Sequence, residues 1–434
     1  MTFDAYFRAL SGVETKVYMG KVDKIVGSVI ESTGPKANME ELCLIQSEHL
    51  DHPIRAEVIG FRGEHILLTP FEDLRGVGPG SLVKGTGDVL RVPVGEGLIG
   101  RVIDGFGNPI DRKGPLQGMS FASVQSVPSN PLERPRIDTV IPFGVRAIDA
   151  LLTCGRGQRI GIFSGSGVGK STLLGMIARN IDSDVNVIAL VGERGREVVD
   201  FMEKDLKEEG MARSVLVVAT SDQPAMMRLK CALVATTIAE YFRDCGKNVL
   251  LMMDSLTRFC MAQREIGLAM GEPPVARGYT PSIYSLLPRL LERSGNFGKG
   301  SITGIYTVLV EGDDVNEPIS DTVRGILDGH IVLTRALAMK NHFPAIDILA
   351  SISRLMNEIV ADGQMQAAGK IRRILSIYQE NTDLISIGAY KSGTNPELDH
   401  AIRSVANINK FLRQGVDEKA GLGDITQALE ALTQ

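Results

Sequence analysis

The chain is organised around Ser164-Gly165-Ser166-Gly167-Val168-Gly169-Lys170-Ser171-Thr172. A short, apolar, β-prone run of residues 158–163 precedes this stretch, and residues 173–179 follow it with a helical pattern. A strand, a glycine-rich turn and a helix form the arrangement that cradles phosphate groups. Glycine lets backbone N–H groups close on phosphate oxygens without a Cβ in the way, and the helix adds the positive end of its dipole. The stretch therefore predicts a phosphate loop.

Two side chains of this loop have predicted roles in phosphate chemistry. We expect Lys170 to reach the β- and γ-phosphates of a nucleotide, and the hydroxyl of Ser171 to ligate Mg²⁺. Ser164 stands where the usual pattern begins with glycine. Because it lies at the end of the strand, outside the glycines that wrap the phosphates, we expect a side chain to be tolerated there. The alternative is a glycine-rich turn with a chance Gly-Lys-Ser, which the flanking strand and helix disfavour.

Length and composition bound the class of protein. The 434 residues suggest about three domains. Hydrophobic residues make up 44% and charged residues 23%, which is typical of a globular protein with a large core. With 47 Lys and Arg against 52 Asp and Glu, the formal net charge is −5, and there is no Trp. Neither the charge nor the aromatic content favours a nucleic-acid partner.

The cysteines and the apolar runs bear on location. Five cysteines are scattered through the chain without a Cys-x-x-Cys pair, which indicates reduced, mostly buried thiols and a cytoplasmic protein. No apolar run approaches the ~20 residues of a membrane span. The N-terminus carries Asp4 and Arg8 where a signal peptide has an apolar core. A role at a membrane would therefore need a partner.

The residues before the phosphate loop predict two units. Residues 1–19 have apolar positions at helical spacing, which fits either a helix packed on the first domain or an arm that docks another protein. Residues 20–92 contain short strand candidates separated by turn signals, which predicts a small closed β-barrel. This barrel shows no basic-aromatic patch. We expect it to be structural, with a part in ring formation.

Two further units complete the predicted organisation. Residues 93–360 begin with a Gly- and Pro-rich segment, which we interpret as a strand pair and a long connection. They continue with alternating strands and helices, as in a parallel sheet covered on both faces. Residues 361–434 have helical patterns interrupted at Gly393 and Gly415. The predicted class is α/β, with a RecA-like parallel-sheet core between an N-terminal β-barrel and a C-terminal helical domain.

Acidic residues after two apolar runs are candidates for the rest of an active site. Asp254 ends the run 249–253, and an Asp at the carboxyl end of a parallel strand lies at the ligand edge of the sheet. There it would hold a Mg²⁺-bound water. Alternatively it caps the next turn. Glu193 and Arg194 also follow an apolar run: Glu193 would poise the attacking water, and Arg194 would steady Glu193 or a phosphate. The alternative is a charged helix start, and spacing alone does not separate the two.

Residues 343–354 complete the set of candidates. Phe343 precedes a proline, and Arg354 falls on a polar turn after a strand pattern. Taken by themselves, these residues indicate only a loop, a strand and a turn.

Several motifs together resemble a known family. Four motifs resemble those of the rotary ATPases of the F1 type. They are the phosphate loop, Val191-Gly192-Glu193-Arg194-Gly195-Arg196-Glu197, Asp254-Ser255-Leu256-Thr257-Arg258-Phe259 and Ala350-Ser351-Ile352-Ser353-Arg354. Other motifs are more similar to the export ATPases of the bacterial flagellum and of type III secretion systems. These are Arg277-Gly278-Tyr279-Thr280-Pro281-Ser282, Pro288-Arg289-Leu290-Leu291-Glu292-Arg293-Ser294-Gly295 and residues 320–330.

The resemblance implies roles for particular residues. Lys170 and Ser171 match the phosphate and Mg²⁺ contacts, and Asp254 matches the second Mg²⁺-linked acid. Glu193 matches the water-activating glutamate, and Arg194 the arginine beside it. Arg354 matches the arginine finger that one subunit donates to its neighbour's ATP. Phe343 and Tyr390 match the aromatic residues that sandwich adenine. Because one chain carries both Glu193 and Arg354, the resemblance favours a homohexamer that is active at every interface.

The resemblance also implies partners and a location. Expected partners are a regulator or stator protein at the N-terminal helix, a coiled-coil stalk protein in the ring centre, chaperone–substrate complexes and, indirectly, the membrane export gate. The expected location is the cytoplasmic, inner face of the membrane. We expect an ATPase that drives flagellar protein export. The alternatives are an injectisome ATPase, a catalytic subunit of an F- or V-type rotary ATPase, a ring RNA translocase and a nucleotide-binding scaffold without turnover.

Overall fold

The structure is a computed structural model that describes residues 18–125, 130–310 and 317–433. All but the end of the predicted arm of residues 1–19 therefore lies outside the described residues. The described strands fall into a closed barrel, a large mixed sheet and a separate two-stranded pair. The predicted class is confirmed, since a barrel, a sheet flanked by helices and a helical unit follow one another along the chain.

The barrel is built from six short strands in the order β1-β2-β5-β4-β3-β6. Alternate residues of β3 are buried because successive side chains of a strand point to opposite faces. Val22, Ile30, Ile45 and Val83 lie in the barrel core. The strands are β1 (Met19–Val26), β2 (Val29–Ser32), β3 (Glu41–Gln46), β4 (Ile54–Arg62), β5 (His65–Pro70) and β6 (Leu82–Val89).

The large sheet has the order β17-β16-β10-β15-β13-β11-β12-β8, with β14 paired to β15 off this path. Its strands are β8 (Val102–Asp104), β10 (Arg159–Ser164), β11 (Val185–Glu193), β12 (Ser214–Thr220), β13 (Asn248–Asp254), β14 (Gly295–Phe297), β15 (Gly300–Leu309), β16 (Gly329–Leu333) and β17 (Ile346–Ser353). The strand pair is β7 (Arg91–Val94) and β9 (Ser120–Ser123), which agrees with the pair expected from the Gly- and Pro-rich segment.

Three details of the sheet differ from the sequence-based expectation, and one of them is that the short strand β14 is antiparallel to β15. The edge strand β17 is antiparallel to β16, because the chain returns from the end of β16 through a helix of only five residues and no full crossover separates the two strands. The three-residue strand β8, from within the Gly- and Pro-rich segment, is the other edge and pairs in parallel with β12. The remaining neighbours β10 to β13, β15 and β16 are parallel, as predicted.

Helices cover both faces of the sheet, and the strands divide their side chains between the two. In β11, Val187 and Ala189 join one core while Ile188 and Leu190 join the other. The helices are α1 (Arg146–Leu151), α2 (Lys170–Asn180), α3 (Gly195–Asp200), α4 (Lys207–Met211), α5 (Ala225–Asp244), α6 (Leu256–Met270), α7 (Pro281–Leu291), α8 (Pro318–Ile326), α9 (Arg335–Met339), α10 (Met356–Ile359), α11 (Asp362–Glu380), α12 (Thr382–Ser386), α13 (Pro396–Leu412) and α14 (Leu422–Ala431).

The C-terminal helices pack against the unit that contains the large sheet. Gln364 of α11 is buried and donates to the carbonyl of Asp149 at 3.0 Å and to the hydroxyl of Thr153 at 2.9 Å. Asp149 in turn accepts backbone N–H groups from Phe143 and Gly144, each at 2.8 Å. The helical unit is therefore fixed to the segment that leads into β10. Within the described residues, no helix combines the length and the apolar character of a membrane-crossing segment.

Candidate active site

The phosphate loop joins β10 to α2 at the carboxyl edge of the sheet. β10 ends at Ser164, and α2 begins at Lys170. Gly167 and Gly169 have φ of 77° and 90°, values that a residue with a side chain rarely adopts. Ser164 is buried, and its hydroxyl has no hydrogen-bond partner among the described residues. The side chain that departs from the usual glycine thus points into the protein and leaves the loop open.

Lys170 brings two acidic strand ends together. Its Nζ lies 2.5 Å from Oδ1 of Asp254, at the end of β13, and 3.6 Å from Oε1 of Glu193, at the end of β11. Because β10, β11 and β13 are parallel, their carboxyl ends meet at one edge of the sheet. The hydroxyl of Thr307 in β15 donates to the same Oδ1 of Asp254 at 2.7 Å. The structure therefore groups the predicted cation with both predicted acids.

Burial and mutual charge control the protonation of this group. Burial, the largest cause, and the charge of Asp254 together raise the pKa of Glu193 to about 7, although Lys170 opposes both effects. Burial by itself would lower the pKa of Lys170, but the carboxylates of Asp254 and Glu193 outweigh burial and raise it. Lys170 is consequently a firm cation, and Glu193 is a base whose pKa lies close to neutral pH.

Other residues of the loop and its surroundings differ in exposure. Ser166, Gly167 and Ser171 are exposed, whereas Gly165 and Val168 are buried. The exposed hydroxyl of Ser171 is on the first turn of α2, beside Lys170.

The side chains of Thr172 and Arg194, which adjoin Ser171 and Glu193 in sequence, contact groups outside the cluster of Lys170 and its two acids. Thr172 hydrogen-bonds to Asp205, and this bond lowers the pKa of Asp205 against the larger, raising effect of burial. Arg194 precedes α3 and is largely exposed, with its guanidinium 3.8 Å from the carboxylate of Glu197.

The two predicted adenine contacts lie in different surroundings. The ring of Phe343 is 42% exposed, and a Cβ on Gly169 would stand 3.5 Å from it, so the ring borders the phosphate loop. The hydroxyl of Tyr390 lies 3.0 Å from both the carbonyl of Asn395 and a carboxylate oxygen of Asp399, in the turn before α13. Phe343 therefore lies beside the phosphate loop, whereas the hydroxyl of Tyr390 contacts residues of the helical unit.

Residues after α13 border the same region and were not predicted. The N–H of Gln414 donates to the carbonyl of Phe343 at 3.0 Å, and the carbonyl of Val416 accepts from Arg179 of α2 at 2.7 Å. Val416 is 41% exposed, much like Phe343. The sequence offered only the glycine at position 415 as a signal here, and a helix-ending glycine does not reveal what the following residues contact.

Arg354 lies at the opposite edge of the sheet from the phosphate loop. It follows β17, whose last residue, Ser353, pairs with Gly329 at the start of β16. The N–H of Arg354 donates to the carbonyl of Asp328 at 3.0 Å, and its guanidinium donates to the carbonyl of Arg324 at 3.0 Å. Arg354 lies level with the start of β10, and the phosphate loop follows the end of that strand. The two are therefore separated by the length of β10, about 16 Å at 3.3 Å per residue. That distance exceeds the reach of an arginine side chain, so Arg354 does not contact the phosphate loop of its own subunit.

Three family models match consecutive parts of the chain. The beta-barrel domain of the ATP synthase alpha/beta family matches residues 22–87, and the nucleotide-binding domain of that family matches residues 144–353. The C-terminal domain of the type III secretion ATPase EscN matches residues 360–431. The three matches follow the barrel, the sheet and the helical unit seen in the structure.

Individual relatives agree over almost the full length. A flagellum-specific ATP synthase of Bacillus subtilis is 58% identical over 95% of both chains, and one of Treponema pallidum is 52% identical over 99% of this chain and 96% of the relative. A type 3 secretion system ATPase of Xanthomonas euvesicatoria is 49% identical over 95% of this chain and 94% of the relative.

Solved structures agree as well. The assembled ATPase EscN from the type III secretion system of enteropathogenic E. coli superposes with a TM-score of 0.91 at 48% identity, covering 96% of this chain and all of that one. EscN in complex with its central stalk EscO superposes with a TM-score of 0.88 at 47% identity, with the same coverage. The chain belongs to the ATP synthase alpha/beta family, and within it to the group that contains the flagellum-specific ATP synthases and the type 3 secretion system ATPases.

Proposed function

We propose that this chain is the ATP-hydrolysing motor of the flagellar type III protein export apparatus. It converts ATP and water to ADP and phosphate, and it couples this reaction to chaperone release, unfolding and export of substrate proteins. The names of two flagellar relatives support the flagellar role, with identities of 58% and 52% against 49% for a secretion relative. An injectisome role fits the same family but fits no better.

The observation that carries the proposal is the cluster of Lys170, Glu193 and Asp254 beside the phosphate loop. The backbone N–H groups of residues 165–172 and the ammonium of Lys170 hold the triphosphate. Glu193 orients a water molecule for in-line attack, because its carboxylate lies beside Lys170 and ionises near neutral pH. Arg194 borders this position and steadies either Glu193 or a phosphate.

The residues fit a Mg²⁺ ion that is bound together with the nucleotide. Within the part of the chain that the structure describes, no group of three or more His, Cys, Asp or Glu side chains could hold a metal by itself. Mg²⁺ in phosphoryl-transfer sites relies instead on few protein oxygens, waters and substrate phosphates. Ser171 offers an exposed hydroxyl, and Asp254 a carboxylate fixed by Thr307. When bound, the ion supplies positive charge to the β- and γ-phosphates.

The base of the nucleotide lies against Phe343, whose half-exposed ring borders the loop. Tyr390 is the predicted second aromatic wall. Val416 is a further candidate for that wall, since Gln414 ties its segment to the backbone of Phe343.

Arg354 acts on the ATP of an adjacent subunit. It lies at the sheet edge opposite its own phosphate loop, and an arginine finger supplied by a neighbour needs such a placement. We propose a homohexamer in which each subunit binds ATP and donates Arg354 to the next. The assembled relative EscN and its complex with a central stalk support a ring around a stalk protein. From the family resemblance we propose that this stalk is a coiled coil and that residues 270–277 face the central opening.

Substitution of Arg354 tests whether one subunit binds ATP while its neighbour supplies the arginine finger. Arg354→Ala should keep ATP affinity and lose turnover by about 10³-fold or more, the typical effect of losing an arginine finger. Lys170→Ala is the matched comparison, because it should weaken ATP binding and turnover together. Nucleotide titration and steady-state phosphate release measure both quantities. Normal turnover of Arg354→Ala contradicts the finger role, and unchanged values for Lys170→Ala contradict the phosphate cradle.

The remaining partners rest on the family resemblance. The N-terminal arm is the proposed binding site of a regulator or stator protein, which would bring the ring to the inner face of the membrane near the export gate. The C-terminal helices are the proposed contact for chaperone–substrate complexes.

Deleting residues 1–18 tests the arm. The deletion should abolish regulator binding in a pull-down experiment while the thermal unfolding profile of the barrel and core stays unchanged. Retained binding by the folded deletion variant would place the regulator elsewhere.

A further inference from the structure

The turn that carries Arg354 is attached to two points of its own subunit. The N–H of Arg354 donates to the carbonyl of Asp328, and its guanidinium donates to the carbonyl of Arg324 near the end of α8, each at 3.0 Å. A cation is favoured near the carbonyl end of a helix. Arg354 is exposed, and these two contacts fix its backbone and one nitrogen of its guanidinium.

Asp328 is itself clamped to the first residue of β10. Its Oδ2 accepts the backbone N–H of Arg159 at 3.0 Å and Nε of the same residue at 3.1 Å, and its Oδ1 accepts a terminal guanidinium nitrogen of Arg159 at 3.0 Å. The N–H of Asp328 donates back to the carbonyl of Arg159 at 3.0 Å. Two-pronged pairing of arginine with a carboxylate fixes geometry as well as charge.

The clamp is protected from solvent. The side chain of Arg159 is 15% exposed and that of Asp328 is 24% exposed. Glu292 holds the other side of the guanidinium of Arg159 at 2.5 Å, so the arginine is fixed between two acids. A chain of direct contacts therefore runs from the strand that leads into the phosphate loop, through Asp328, to the turn that carries Arg354.

We propose that Asp328 is a positioning residue for the reaction in the neighbouring subunit. By holding its own backbone against Arg159, it sets the position of the Arg354 turn and so aims the finger across the interface. The proposal rests on the proposed function of Arg354. It goes further because it assigns a role in the neighbour's catalysis to an aspartate that touches neither nucleotide nor finger guanidinium.

Asp328→Asn removes one acceptor of the clamp and turns an amide N–H₂ toward the donors of Arg159. Its own phosphate loop keeps Lys170, Glu193 and Asp254, so the affinity for ATP should stay at the wild-type value. Turnover should fall by about ten- to a hundredfold, the effect of a small misplacement of a catalytic group. Wild-type turnover would overturn the proposal. So would ATP affinity reduced in parallel with turnover, because the defect would then lie in the variant's own site.

Mixing two impaired variants distinguishes a positioning defect from general damage to the subunit. Glu193→Gln subunits lack a competent site but carry an intact finger, whereas Asp328→Asn subunits keep a competent site. In mixed rings, an Asp328→Asn site beside a Glu193→Gln finger should be active, and random assembly gives roughly a quarter of the interfaces this composition. If Asp328 supports only its own site, mixing restores nothing.

The reference mixture is Arg354→Ala with Glu193→Gln. If turnover recovers in the reference mixture but not in the mixture with Asp328→Asn, the proposed role of Asp328 is wrong and the proposed function is retained. Failure of the reference overturns the shared site itself.

The matched control is Asp111→Asn, which breaks a similar fork, between Asp111 and Arg101 at 2.7 and 3.0 Å, beside the far edge strand β8. It should leave turnover unchanged, and a loss equal to that of Asp328→Asn would reduce the effect to general weakening. Should Asp328→Asn fail to fold, Arg159→Lys takes its place, because lysine keeps the charge but lacks the fork.

Discussion

Lys170 is shared between two carboxylates. Its ammonium lies closest to Asp254, and Glu193 is about one ångström further away. A triphosphate that binds here adds negative charge next to these acids. We therefore expect it to compete with them for the ammonium and to need further positive charge, which Mg²⁺ and the neighbour's Arg354 would supply. The cost of placing several negative charges together makes binding of ATP dependent on Lys170.

The raised pKa of Glu193 predicts a pH dependence of activity. In its proposed role the carboxylate orients water only when ionised, so protonation would remove it from the reaction. Because its pKa is about 7 in the free protein, kcat/KM for ATP should fall as the pH drops through about 7. ATP affinity of Glu193→Gln over the same pH range is the control, since it reports protonation of the nucleotide and of other groups. A kcat/KM that stays level down to pH 5.5 contradicts the assignment of Glu193.

The strand-end residues of the site were predictable, whereas their supporting contacts were not. Glu193 and Asp254 each follow an apolar run, and parallel strands bring such ends to one edge. Thr307 lies inside a long buried strand, and nothing in the local pattern shows that its hydroxyl reaches Asp254. Val416 depends likewise on a fold-wide contact, because its segment meets α2 more than 230 residues away in sequence.

At the scale of elements, a buried ion pair connects the barrel to the nucleotide-binding core. Lys230 of α5 and Glu57 of β4 are 7% and 5% exposed, and Nζ lies 2.6 Å from the carboxylate. Burial raises the pKa of Glu57, and Lys230 opposes that effect. The pair favours one position of β4 against α5, because each buried charge is neutralised only when the two elements are packed together.

Breaking this pair predicts a large loss of stability. Lys230→Met leaves the carboxylate of Glu57 buried without its cation and should lower the free energy of unfolding by about 3–5 kcal/mol. The double variant Glu57→Leu with Lys230→Met should regain much of that loss, because no buried charge remains. Denaturant unfolding monitored on the barrel measures both.

Glu397→Gln serves as the control, since it breaks the exposed pair with Arg373 and should change little. Equal effects of Lys230→Met and Glu397→Gln would show that burial does not matter here.

Elements with strong local signals were predictable, and those set by distant pairing were not. The predicted alternation of strands and helices is confirmed, for example by the 20-residue helix α5 between β12 and β13. The direction of β17 and the membership of β8 in the large sheet depend on which distant strand each one meets. Short apolar runs do not contain that information.

At the scale of the whole molecule, the two edges of the sheet divide the chemistry. Lys170, Glu193 and Asp254 lie at the carboxyl edge, and Arg354 lies at the opposite edge. Under the proposed function, one subunit therefore offers a nearly complete site on one side and a single cation on the other. The proposed ring of identical subunits joins these halves at each interface, and an isolated subunit leaves both incomplete.

The dependence of ATPase rate on protein concentration tests this division most directly. Turnover per subunit should rise steeply over the concentration range in which light scattering or analytical ultracentrifugation detects the change from monomer to hexamer, because assembly brings Arg354 to the neighbour's ATP. Arg354→Ala should assemble over the same range without the rise. A strictly monomeric preparation that hydrolyses ATP at the full rate of the hexamer would contradict the shared site.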